Sequence, residues 1–134
     1  MHSSKDSERY IISSVDKAFE VLETIAERET INLTELSELL QKPKSSLYRI
    51  ISTLEYKGYI SRSEENDKYC LGLNTLKLTR NFLENNTLRK ISIEEMKQLT
   101  GKYGDSVNLG VFTGDEILYV ETMEGTFPLK FIET

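Results

Sequence analysis

The stretch KPKSSLYRIISTLEYKGYI, residues 42–60, sorts into two opposed faces. Leu47, Ile50, Ile51 and Leu54 stand at i, i+3, i+4 and i+7, the spacing of a stripe that a helix buries. Ser45, Tyr48, Arg49 and Ser52 repeat that spacing on the other side. Pro43 suits the first helical position, where its missing N–H costs little, and Gly58 suits the left-handed residue that closes a helix. The pattern predicts a helix over 43–57. Its outer face is unusual for an inert surface. Hydroxyls, a tyrosine and an arginine stand where a Glu/Lys mixture is expected, and Lys42 and Lys44 lie at its start.

Upstream, residues 14–28 predict a helix with Val15, Ala18, Phe19, Leu22, Ile25 and Ala26 as its apolar face and Ser14 as its N-cap. Asn32 followed by Glu35 is a reciprocal capping pair, with Glu35 reaching back to the Asn32 backbone N–H. It opens a short helix with Leu33, Leu36, Leu39 and Leu40 inward. Downstream, YISRSEENDKYCLG reads as a hairpin: Ile60 and Arg62 alternate, SEEND turns, and Tyr69 and Leu71 pack from the return strand. Cys70 is expected to be a small side chain against the core. Three helices followed by a two-stranded hairpin form a winged helix-turn-helix arrangement, here over residues 10–72.

Residues 73–86, LNTLKLTRNFLENN, predict a linker helix carrying Leu73, Leu76, Phe82 and Leu83 and ending at Asn85-Asn86. A helix over 87–103 follows, with Leu88, Met96, Leu99 and Tyr103. Then SVNLGVF-TGDE-ILYVETM reads as a hairpin around a Gly-Asp turn. A lone hairpin is marginal in water, so residues 87–134 are expected to be the truncated opening of a second, α/β domain. The fold class is α+β. The polar residues 1–9 read as a disordered tail.

The chain has 134 residues, 38% hydrophobic and 29% charged, the balance of a globular protein. It contains no apolar run long enough for a membrane span, and MHSSKDSERY lacks the apolar stretch of a secretory signal. One cysteine forms no internal disulfide and fits a reducing cytoplasm. A formal charge of −5 argues against indiscriminate polyanion binding. Distribution says more. Residues 42–62 hold five basic residues against Glu55 alone, a net of +4, which leaves −9 for the remainder. A basic island in an acidic chain points to one face that meets a polyanion. The single histidine, His2, lies in the tail, and no phosphate-binding loop, zinc-protease motif or CxxC occurs. No catalytic residue, metal ligand or cofactor is expected.

A helix seated in the major groove packs one face on its own domain and presents the other to bases and phosphates. Lys44, Ser45 and Ser46 lie in the first turn, where free N–H groups and the helix dipole favour phosphate. Arg49, one turn on, suits a phosphate or a guanine edge. Tyr48 offers a ring for a thymine methyl or sugar and a hydroxyl for phosphate. Ser52 continues that face, and Lys42 is a phosphate candidate in the preceding turn. On the hairpin, Arg62 and Lys68 are phosphate candidates, while the acidic tip Glu64-Glu65-Asn66-Asp67 argues against deep minor-groove insertion. Each residue has an ordinary structural use too. Ser45 or Ser46 could cap, Tyr48 could pack on the first helix, and Arg49 could be a surface arginine. A winged helix used for protein contacts is the competing function; it should expose Leu, Phe or Met anchors.

SVDKAFEVLE, LTELSELL, PKSSLYRIISTLEYKGYI and KYCLG together resemble the DNA-binding domain of the IclR (isocitrate lyase regulator) family of bacterial transcription factors. The likeness continues more weakly through LGLNTLKL and SVNLGVFTGDEILYV. The resemblance implies a regulator, a repressor by expectation, that binds a double-stranded DNA operator as a homodimer or higher homo-oligomer. It also implies a linker helix and a C-terminal domain that senses a small-molecule effector, most of it beyond Thr134. DNA contact is implied for Lys44, Ser45, Ser46, Tyr48 and Arg49. Tyr10, Ile11 and Ile12, with Leu73, Leu76 and Phe82, are not needed to close a three-helix core and are the candidate dimerisation residues.

Overall fold

The computed structural model describes residues 8–125. The elements are α1 (Ser13–Glu27), α2 (Leu33–Leu40), α3 (Lys44–Tyr56), β1 (Ile60–Arg62), β2 (Tyr69–Leu71), α4 (Asn74–Asn85), α5 (Thr87–Tyr103), β3 (Val107–Thr113) and β4 (Glu116–Met123). They fall into two compact units, Met1–Leu78 and Thr79–Thr134, so the division lies inside α4. Of the tail expected over 1–9, residues 1–7, His2 among them, lie outside the described residues, as do residues 126–134.

The first unit closes around Val21, Ile25, Ile31, Leu36, Leu47, Ile51, Ile60 and Tyr69, with Leu22, Leu33, Leu40, Ile50 and Leu54 packed against them. α1 carries more apolar residues than one contact can cover. Packing against α3 and β2 selects the stripe through Val21 and Ile25. The expected face was offset from this one: Val15 and Phe19 are exposed. Nor is Ser14 the cap. The helix begins one residue earlier, with Ile12 at the N-cap and no side-chain cap bond.

Asn32 caps α2, its Oδ1 accepting from the Glu35 N–H at 2.8 Å. The pair closes side chain to side chain, Asn32 Nδ2 donating to Glu35 Oε1 at 2.8 Å, rather than through the Asn32 N–H. Leu39, expected inward, is exposed, because it falls at the edge of the stripe formed by Leu33, Leu36 and Leu40. Gln41 then takes a left-handed conformation (φ 56°), and Ser37 closes the turn, its Oγ donating to the Lys42 carbonyl at 2.6 Å. Pro43 stands at the N-cap of α3, not at the first helical position, because its ψ of 140° is extended. α3 ends in a Schellman motif. Gly58 (φ +82°) donates to the Glu55 carbonyl at 3.0 Å, and Tyr59 to that of Leu54 at 2.9 Å.

β1 and β2 pair antiparallel, Ile60 with Leu71, Ser61 with Cys70 and Arg62 with Tyr69. Ile31, in the α1–α2 connection, adds a bridge to Tyr69 through bonds of 3.0 and 2.7 Å. Tyr69 is thus held on both sides and buried. Leu71, expected to pack, is exposed at the open end of the ribbon. Cys70 is a half-buried free thiol.

In the second unit, Asn86 caps α5 by accepting from the Arg89 N–H at 2.8 Å, and Gly104 (φ +73°) closes it. α5 packs on the β3–β4 hairpin and buries Met96. Leu88, Leu99 and Tyr103, expected inward, are exposed, because a single two-stranded ribbon covers only a narrow strip of the helix. Gly114 (φ +60°) makes the hairpin turn, and a bulge at Val120 interrupts the register between Leu109 and Gly110.

Candidate nucleic-acid interface

α3 buries Leu47 and Ile51 and turns Lys44, Ser45, Tyr48, Arg49 and Ser52 to solvent; Ser46 and Lys42 are half-buried. The geometry distinguishes the serines. Ser46 Oγ donates back to the Pro43 carbonyl at 3.0 Å, and Ser52 Oγ to that of Tyr48 at 2.7 Å. Each hydroxyl thereby spends its proton and keeps its lone pairs. Neither Ser45 nor Ser46 is the N-cap, since Pro43 occupies it and has no capping side chain. The N–H groups of the first turn are therefore open to an anion. Tyr48 is 51% exposed and takes no part in the core.

Arg49 and Ser46, with Ile50, Thr53 and Leu54, form one wall of a groove of about 670 Å³. The first turns of α1 form the other, bringing Lys17 to the same groove as Arg49. Sequence spacing gave no sign of this pairing, which depends on how α1 crosses α3. A second omission was legible. Tyr56, 87% exposed, extends the outward row Ser45, Arg49, Ser52 by one further step of four.

On the wing, Arg62 is less free than the sequence implied. Its guanidinium lies 3.9 Å from the Asp67 carboxylate. Its pKa is raised, first by Glu55 of α3, then by Tyr69 and Asp67. The Tyr69 phenol is in turn pushed up, chiefly by burial. The acidic tip is exposed throughout, with Asp67 left-handed (φ 54°) and Asn66 Oδ1 accepting from the Lys68 N–H at 3.1 Å. Arg62 and Lys68 stand on the wing, with Arg62 in electrostatic reach of Glu55 in the last turn of α3.

Among the candidate dimerisation residues, Tyr10, Ile11, Ile12, Leu73, Leu76 and Phe82 are all more than half exposed. In the second unit, Arg89 pairs with Glu121 of β4 at 2.7 Å with both side chains about three-quarters covered, a contact that no spacing announced. Among the described residues no cluster could hold a metal ion, and no helix is long and apolar enough to cross a membrane.

Three helices packed through α3, closed by a two-stranded wing with a bridging residue between α1 and α2, define a winged helix-turn-helix domain. Residues 14–64 match the IclR helix-turn-helix domain, so the chain carries a DNA-binding domain of the IclR type. The HTH-type transcriptional regulator KdgR of Dickeya chrysanthemi is 30% identical over 119 residues, covering 89% of this chain and 39% of that protein. KipR of Bacillus subtilis, also an HTH-type transcriptional regulator, is 33% identical over 113 residues, covering 84% and 45%. The crystal structure of an IclR family transcriptional regulator from Brucella abortus has the same fold, with a TM-score of 0.77 at 21% identity over 87% of this chain and 45% of that one. The chain thus spans less than half the length of these relatives.

Proposed function

We propose that the chain is a sequence-specific regulator of transcription that binds double-stranded DNA through α3 as a homodimer. The observation that carries this reading is the outward face of α3. Ser45, Tyr48, Arg49 and Ser52 stand opposite the buried Leu47 and Ile51, at the end of an uncapped first turn. Lys42, Lys44 and, through its backbone N–H, Ser46 complete the set toward the phosphate backbone, and Arg62 and Lys68 flank it on the wing. A protein-docking helix should carry aliphatic or Phe anchors on its exposed face. α3 exposes no Leu, Ile, Phe or Met there; its exposed aromatic side chains are Tyr48 and Tyr56. Residues 10–72 serve as the reading domain, 73–86 as the linker, and 87–134 as the opening of a domain that takes a small-molecule effector. A bound dimer excludes other proteins from the same DNA, so repression is the simplest consequence. The site of action is the cytoplasm, where the DNA is.

Arg49→Ala tests the reading directly. If Arg49 pairs with a base, the substitution should cost about 1–3 kcal/mol and relax specificity at one position. If it holds a phosphate, the loss should be uniform across sequences and the salt slope should fall by about 1. Titrations of wild type and variant against matched and mismatched duplexes at several salt concentrations separate the two. Unchanged affinity would remove Arg49 from the interface.

The wing tip makes the opposite prediction. Glu64 and Glu65 are exposed and acidic, so replacing both with lysine should strengthen non-specific binding. Collapse of binding to the preferred duplex would instead show a specific contact at the tip, such as acceptance from cytosine N4.

A further inference from the structure

The last carbonyls of a helix need partners, and water commonly supplies them. Around the end of α3 the protein supplies several of them itself. The Schellman motif satisfies Leu54 and Glu55. The carbonyls of Lys57 and Gly58, just beyond the helix, are taken by one residue of α4: the Asn74 N–H donates to Gly58 O at 3.0 Å, and the Asn74 side-chain amide donates to Lys57 O. Beside them the Gly72 N–H donates to Tyr59 O at 2.9 Å. The fit allows no slack. A Cβ on Gly72 would stand 2.3 Å from Gly58 O, and one on Gly58 would stand 2.4 Å from the Asn74 amide nitrogen. All these groups belong to the first unit, which includes α4 as far as Leu78.

We infer that Asn74 is a positioning residue that fastens the first turn of the linker helix to the closing turn of the DNA-reading helix, so that the direction of α4 dictates the direction of α3. The inference rests on the DNA-binding reading above. α4 buries none of its residues, so little side-chain packing fixes its start. Its orientation against α3 depends on these polar bonds, and the side-chain amide provides the one that a mutation can remove without touching the backbone. In a dimer that reads two half-sites, this joint converts the angle of the linker into the separation of the two reading helices. Selectivity for half-site spacing is therefore a property of Asn74, although the residue lies off the DNA-reading face.

Asn74→Asp is the test. Aspartate keeps the shape, and a negative charge in the first turn of α4 favours the helix. It has no amide proton to donate to Lys57 O, so the fold should persist while the joint loosens. The wild-type chain first selects its preferred two-half-site duplex from a random library. Wild type and variant are then titrated against that duplex, against versions with one base pair added or removed at the centre, and against a single half-site. The wild type should lose about tenfold or more on a spacing change, because simultaneous engagement is forbidden. Asn74→Asp should bind the half-site within about twofold of wild type yet lose no more than about threefold on the spacing change. A variant that keeps the full spacing penalty overturns the inference, as does one that stays folded but loses half-site binding, or a wild type indifferent to spacing. A wild type that enriches no duplex at all overturns the DNA-binding reading itself, an outcome distinct from each of these.

Discussion

Leu47→Ala is expected to cost the first unit about 2–5 kcal/mol of stability, the range for deleting a buried leucine where the cavity cannot collapse. Leu47 is fully buried, and its neighbours in the cluster come from α1, α2, α3 and the wing. Few residues stand behind them to move inward. A domain of this size has roughly 5–15 kcal/mol in total, so the loss is a large share of it. Urea unfolding should show a lower midpoint with an unchanged slope. Tyr56→Ala, one face away and almost fully exposed, should stay within about 0.5 kcal/mol of wild type. A cost for Leu47→Ala below about 1 kcal/mol would mean that the site relaxes and that α3 is not pinned as described. Because Ser46 and Tyr48 flank Leu47 in the chain, DNA binding should fall in step with the folded fraction and not beyond it.

The division of α3 into two faces was legible because both stripes lie within one helix, where spacing alone fixes direction. The same holds for the αL closure at Gly58 and for the Asn32 cap, which are local backbone chemistry; Asn86, read only as the end of the linker helix, is also the cap of α5. α1 shows where legibility ends. It carries two adjacent apolar stripes, and only the crossing by α3 and β2 decides that Val21 is covered while Phe19 is not. Leu39, Leu71 and the α5 leucines fail for a related reason: an apolar side chain goes inward only if something arrives to cover it. The Ile31 bridge could not be read, since a single residue pairing across a distant turn leaves no periodic trace. Juxtapositions set by distant elements, Lys17 and Arg49 on the walls of one groove and the Arg89–Glu121 ion pair, are equally silent. Tyr56 is different, because its spacing from Ser52 was visible and only the extent of the outward row was underestimated.

The exposed apolar residues around the start of α1 and along α4 carry the other large expectation. A single reading helix covers only a few base pairs, which is too little to single out one site. A two-fold dimer places two such helices about 34–36 Å apart, or a multiple of that, on a pseudo-palindrome. Tyr10, Ile11 and Ile12, with Leu73 and Leu76, are more than half exposed and contribute nothing to the core, so covering them against a second copy is favourable at no cost to the fold. Phe82 extends the same proposal beyond the division of α4. Ile12→Asp and Leu76→Asp isolate this role unusually well. Ile12 is the N-cap of α1, a position that prefers Asp to Ile, and Leu76 lies in the first turn of α4, where a negative charge suits the helix dipole. Both variants should therefore fold at least as well as wild type, and any loss of association belongs to the interface. Sedimentation should show dimers for wild type and monomers for each variant at micromolar concentration. Binding to the pseudo-palindrome should weaken by about 10²–10⁴-fold, the range expected when two linked sites become one, while half-site affinity is unchanged. A wild-type chain that sediments as a monomer and still binds one half-site tightly would exclude the two-fold arrangement. Dimers that form only on DNA would place part of the interface in the C-terminal portion of the longer relatives, and Ile12→Asp should then abolish the cooperativity of binding rather than a free dimer.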